Sequence, residues 1–299
     1  MAPRPVPLAL LLLVAVLPGA PAAAQNKTGA SADFLRRGDS SRRRLKIRWT
    51  TPAVLVREQS HALEKQKAIE ELRGKDPRPL LIHREAETSH KKRDDRLVGH
   101  LGDEEIRLLT HWFHCIQLGR KVLDAKHPYH SLFAGKRPPQ LLVLTWDGAT
   151  SVALYGDEDK RTTVGAIIKV CKLEYRGDAL AAIQQWRKLL DEWDKLDALA
   201  EEYEARLSKA IDKHGDRSTL ARKWRRRLDA QEGLRSALGK KETRIQTLKL
   251  RHDPKARAYI DFEAEAAAEV KARSGKVDAA RLKRKLEEKQ KKGEPGRDK

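Results

Sequence analysis

Nine apolar residues, Ile183, Trp186, Leu190, Trp193, Leu196, Ala200, Tyr203, Leu207 and Ile211, recur in eight steps across 28 residues. The mean step of 3.5 is the repeat of helices packed on one another, not the 3.6 of a lone helix. Asp178 to Lys213 is therefore expected to form one helix of about 54 Å, whose stripe needs a long apolar partner. His214-Gly215-Asp216 breaks the pattern, and Ser218 is placed to cap a second helix. That helix carries Leu220, Trp224, Leu228, Leu234, Leu238, Ile245 and Leu248, with Gln231 interrupting the stripe. A helical hairpin or coiled coil over 176–273 follows, stripe on stripe, suited to a spacer or to self-association. Its last part starts at Asp253-Pro254, carries Ile260 and Phe262, and stops at Ser274-Gly275. Residues 274–299 form a basic tail with few apolar side chains, expected to be partly disordered.

Upstream of Gly177 the period changes. Leu45 to Trp49 alternates apolar and polar as a strand does, and Pro52 to Leu72 carries a helical apolar face. Leu80-Leu81-Ile82-His83 reads as a short buried strand and Glu85 to Arg96 as a polar helix. Asp103-Glu104-Glu105 starts a helix running to about Thr110. Trp112 to Leu118 is a further strand, and Lys121 to Lys136 a long loop. Two more strands lie either side of Trp146-Asp147-Gly148, and Arg161 to Lys172 closes the unit as an amphipathic helix. Residues 45–174 are thus expected to form an α/β domain, a mixed sheet with helices on both faces.

The ordered set of Pro79-Leu80-Leu81-Ile82, Pro139-Gln140-Leu141-Leu142-Val143-Leu144, Trp146-Asp147-Gly148 and the helix from Thr162 to Lys172 resembles a thioredoxin-like domain. The resemblance implies a cis-proline at Pro139 and an active-site turn after the Leu80–His83 strand. In that family two cysteines spaced C-x-x-C open a helix. The dipole lowers the first thiol's pKa, and the second sulfur resolves the mixed disulfide. Here the matching positions read Thr88-Ser89-His90-Lys91, so Thr88 and Lys91 stand where the sulfurs would be. Neither can form a disulfide, and the resemblance carries the fold without the dithiol chemistry.

The two cysteines of the chain lie elsewhere, Cys115 in the Trp112–Leu118 strand and Cys171 in the closing helix. A helix packed on a sheet can bring them together, and the sequence leaves open both a disulfide and two buried free thiols. His111 and His114, three apart in a strand, point to opposite faces, while His127 and His130 lie in the long loop. No thiolate or carboxylate completes a zinc spacing, and no nucleophile elbow, P-loop or dinucleotide glycine pattern appears, so neither metal nor cofactor is expected. Thr88, His90 and Lys91 at a helix start offer an anion site; Lys91-Lys92-Arg93 as a solvated helical face competes with it.

Formal charge is +20, with 35% charged against 39% hydrophobic residues. The excess is spread evenly over the two halves of the chain, which reads as a solvated surface rather than a dedicated nucleic-acid arm. Trp224, flanked by Arg222-Lys223 and Arg225-Arg226-Arg227, falls on the apolar stripe and reads as core with arginines as its wet flank. Nucleic acid is not an expected partner. Arg4, the apolar run Val6 to Leu17 and Ala22-Ala23-Ala24 make a signal peptide, residues 1–24, with no membrane span after its cleavage. Residues 25–44 read as a flexible basic linker.

Together these features predict a secreted or periplasmic, non-redox thioredoxin-like protein acting as an interaction or scaffold module. Its partner would be another protein, engaged through the helical arm. The alternatives are an atypical thiol oxidoreductase using Cys115 or Cys171, an anion-substrate enzyme around Thr88–Lys91, and a polyanion-binding envelope protein.

Overall fold

The computed structural model describes residues 36–52, 61–85 and 95–253, together with the single positions 262, 268 and 271. Residues 1–24, expected as a signal peptide, the Thr88–Lys91 positions and the tail 274–299 lie outside the described residues.

Four strands form one sheet: β1 (Leu80–Arg84), β2 (His114–Leu118), β3 (Leu141–Leu144) and β4 (Ser151–Leu154), in the order β2-β1-β3-β4. β1 runs parallel to β2 and antiparallel to β3, and β3 runs antiparallel to β4. Strands covered on both faces read as continuous apolar runs, which is why β1 and β3 were plain in the sequence. Alternate residues feed two cores. Leu80, Ile82, Leu142 and Leu144 pack with Ala68, Ile69 and Leu72 of α2 (Lys65–Arg73) and with Tyr129 and Phe133 of the long loop. Leu81, Leu141, Val143 and Cys115 enter a larger core on the other face.

That larger face is covered by α3 (Asp95–Leu101), α4 (Glu104–Leu109) and α5 (Lys160–Glu174). Asp103 caps α4 by accepting from the Glu105 amide, and Asp159 caps α5 by accepting from that of Thr162. A 3-10 turn over Thr110–Trp112 takes the first residues expected of the second strand, so β2 begins at His114. The expected strand Leu45–Trp49 is reduced to a single bridge, Thr50 to Ile116. The Leu45 carbonyl is claimed by Arg107 instead, and that of Arg44, just before the expected strand, by His111.

Beyond α5, α6 (Ala179–His214) and α7 (Thr219–Gln246) form the antiparallel hairpin, with Asp178 and Ser218 as N-caps. Trp186 meets Glu242, Asp197 meets Arg235, and Tyr203 meets Trp224 along its length. On α6 the expected stripe is buried from Ile183 to Leu196. On α7 the expected inner residues Leu220 and Leu234 are exposed, whereas Gln231 and Glu242 are buried. Glu242 is turned inward by Arg44 of the N-terminal segment and Trp186 of α6, which both donate to its carboxylate.

Two further expectations are corrected. The part of the linker that is described is not loose: α1 (Asp39–Arg44) is ordered, with Ser40, Ser41 and Arg44 buried against α6 and α7. Nor does packing break at residue 175. Trp186, Leu190, Trp193 and Leu238 of the hairpin share one core with Leu81 and Val143 of the sheet. Tyr175 pairs with Leu250 in a β-bridge, and its hydroxyl donates to Trp112 O at 2.5 Å.

Candidate functional site

Sulfur comes first, since the alternatives in the sequence turn on it. Cys115, on β2, is 3% exposed, and its Sγ faces Thr110 O at 3.5 Å. Cys171, on α5, is 1% exposed. Both are free thiols, not a disulfide. Burial pushes Cys115 up to about 12 and also raises Cys171, with Glu174 adding to the effect. A thiol that keeps its proton is a poor nucleophile.

Among the described residues there is no cis peptide, so Pro139 does not carry the cis bond that the resemblance implied. Its carbonyl accepts from Arg84 Nε at 3.0 Å, and the Gln140 amide beyond it donates to Leu154 O at 2.8 Å. The strand ladder is thus engaged at once after the proline.

The candidate histidines do not gather. His111 is buried against the Trp186 ring at 4.9 Å, and burial drives its pKa down to about 3. A carbonyl faces its Nε2 at 2.5 Å, which requires that nitrogen to carry the proton. His114 lies 4.0 Å from Asp76, and His127 Nδ1 accepts from the Tyr129 amide at 3.2 Å. Among the described residues no group of three His, Cys, Asp or Glu is placed to hold a metal.

Two places carry unmatched polar chemistry. One is the end of the sheet where β1 leaves it and β3 enters. His83 is buried beside Trp49, ring centroids 5.5 Å apart, and its Nε2 has no hydrogen-bond partner among the described residues. Burial, then the neighbouring Arg84 charge, lowers its pKa to about 4, so it is a neutral base near pH 7. Gln140 Nε2 is likewise buried and unpartnered. Its Oε1 faces Gly156 so closely that a Cβ there would come to 2.3 Å, at a φ of +99. This cluster can exchange hydrogen bonds but holds no nucleophile.

The second place is the far end of the hairpin. Trp224 is 7% exposed and packs on Tyr203, Ala210 and Ala221, with the Arg206 and Arg227 guanidinium groups each 4.9 Å from its ring. Thr219, Arg222, Lys223, Arg226 and Arg227 line an open cleft of about 400 Å³. A cleft of similar size, about 390 Å³, lies at the hairpin root, where Arg37 and Arg187 pair with Glu104, and Arg37 also with Asp194 at 2.7 Å. There four cations face five carboxylates, so no positive excess is left. Sequence reasoning missed this root network, because its partners come from segments with no shared pattern; the cations around Trp224 it did single out.

Comparison with protein-family models, with curated proteins and with solved structures finds no match to this chain in any of the three.

Proposed function

We propose that the chain is a non-redox protein of thioredoxin-like fold that works as a docking module, with the α6–α7 hairpin as its arm. The parallel β1–β2 pair joined through helices, the antiparallel β3–β4 hairpin, the closing helix α5 and Pro139 just ahead of β3 support the fold reading. The observation that carries the non-redox reading is the state of the sulfurs: both are buried, unpaired and held as thiols. The leader-like N-terminus supports export, and burial of both thiols suits an oxidising compartment. No helix among the described residues is long and apolar enough to cross a membrane.

Insulin-reduction and peroxide-consumption assays on the wild type and on Cys115→Ser/Cys171→Ser test this. Neither protein should turn over, and native protein should leave both thiols unlabelled until denaturant is added. Activity in the wild type that the double substitution abolishes would overturn the reading in favour of a thiol oxidoreductase.

A further inference from the structure

The free end of the α6–α7 hairpin carries charge that the fold does not use. From Lys213 to Arg227 seven Lys and Arg residues stand against one acid, Asp216, and Arg225 already holds that acid. Arg222, Lys223 and Arg226 are exposed, have no carboxylate partner among the described residues and occupy two successive turns of α7. One helical turn rises about 5.4 Å, so all three lie within a Debye length, about 8–10 Å, of any surface that meets the tip. Leu220, in the first turn of the same helix, is 38% exposed beside them. Nearer the body, residues 179–212 and 228–246 of the hairpin hold nine Lys and Arg against eleven Asp and Glu, and Arg235 pairs with Asp197 and Lys241 with Glu192. The excess therefore belongs to the tip.

We propose that the tip of the α6–α7 hairpin binds anionic phospholipid surfaces. An exposed tip with several cations that have no carboxylate partner among the described residues, and one leading apolar side chain, matches such a surface. Charge attraction needs no fixed spacing of phosphates there, and the leucine enters the headgroup boundary. The positive end of the α7 dipole points the same way. A single-stranded nucleic acid would call for an open aromatic platform, and Trp224 is instead packed against Tyr203 and Ala221. The inference rests on the hairpin being a docking arm, and it is independent of the sheet's thioredoxin-like reading.

The test is co-sedimentation of the full chain with vesicles of phosphatidylcholine alone and of phosphatidylcholine mixed with phosphatidylglycerol, at low and at high salt. Binding should require the anionic lipid and weaken with salt. Each Lys or Arg at such a surface strengthens binding about five-fold. Arg222→Ala/Lys223→Ala/Arg226→Ala should therefore lose roughly 100-fold. Leu220→Ser should lose several-fold at both salt concentrations. Lys172→Ala/Lys188→Ala/Lys195→Ala removes the same charge from exposed sites elsewhere and should change binding by less than about five-fold. Matching circular dichroism spectra establish that each variant folds. Equal losses in the two triple variants, or no loss at the tip, would overturn the proposal. So would an oligonucleotide that binds more tightly than the vesicles and displaces them in a tip-dependent way. The thiol assays do not involve the tip, so failure here leaves the non-redox reading standing, and failure there leaves this one.

Discussion

At the scale of single residues, His111 and His83 tie stability to pH. Burial holds their pKa values at about 3 and about 4 in the folded chain, against about 6.5 when unfolded. As pH falls below about 6.5 the unfolded chain takes up protons that the folded chain refuses, so stability rises with pH across this window and is lost on acidification. Between pH 7 and pH 5 each histidine should remove about 2 kcal/mol. Asp76 and Asp197 act in a different window. Burial works to raise both, but hydrogen bonds outweigh it, from Arg78 on Asp76 and from Ser40 and Arg235 on Asp197. Their contribution is lost only as pH falls through and below the usual aspartate value. Urea denaturation of the wild type and of His111→Gln at both pH values checks the assignment. Glutamine can still donate to Arg44 O, so the variant should keep the contact and lose about 2 kcal/mol of the pH dependence. An unchanged pH dependence would mean that His111 is not a buried neutral base.

Between elements, the decisive contact is the one that pins α1 to α7. Arg44 Nε donates to both oxygens of Glu242 at 2.9 and 2.8 Å, and its guanidinium lies 3.8 Å above the Trp193 ring. Trp186 Nε1 donates to the same carboxylate at 2.8 Å. Removing one side of a buried pair strands the other charge, whereas replacing both with apolar groups of similar volume does not. Glu242→Ala should cost about 3–5 kcal/mol in urea denaturation, and Arg44→Met/Glu242→Leu should recover most of that. A double variant as unstable as the single one would show that the bonding pattern, not the stranded charge, carries the stability. This pair also explains what could be read from the chain. β1 and β3 were legible as apolar runs of three and four residues, and the caps Asp103 and Ser218 as residues with a known task. Arg44 looked like one more linker arginine, because its carboxylate lies 198 residues away. Counting apolar residues along α7 placed Leu220 and Leu234 inside, but the buried positions include Gln231 and Glu242, the latter turned in by Arg44 and Trp186. At the sheet end, His83 and Gln140 matched no motif, since burial without a partner exists only once the chain is folded. The basic tip was visible in sequence, and its excess stood out only after the pairs nearer the body were assigned.

For the molecule as a whole, the sheet and the hairpin root form one cooperative unit. Trp186, Leu190 and Trp193 fill the same core as Leu81, Leu141 and Val143. Further ties run from the sheet unit to the hairpin and to the segment that follows it. Trp112 Nε1 donates to Gln246 O at 2.8 Å, the Arg176 amide donates to Lys249 O at 2.9 Å, and the Trp146 ring of the β3–β4 turn stacks on His252 at 4.6 Å. Burying a large apolar side chain contributes about 1.5–3 kcal/mol, so losing three of them removes a sum comparable with the whole stability of a domain, about 5–15 kcal/mol. A chain ended after residue 175 should therefore show no cooperative thermal transition by circular dichroism and should bind a hydrophobic dye. Glycines inserted between Gly215 and Asp216 lengthen only an exposed turn, where loop closure costs little, and should leave the transition of the full chain in place. If the shortened chain melts cooperatively, the sheet holds its own core and the hairpin is an appendage. If it does not, the arm's outer end is presented on a root that cannot move without unfolding the body, which is the rigidity a docking arm needs.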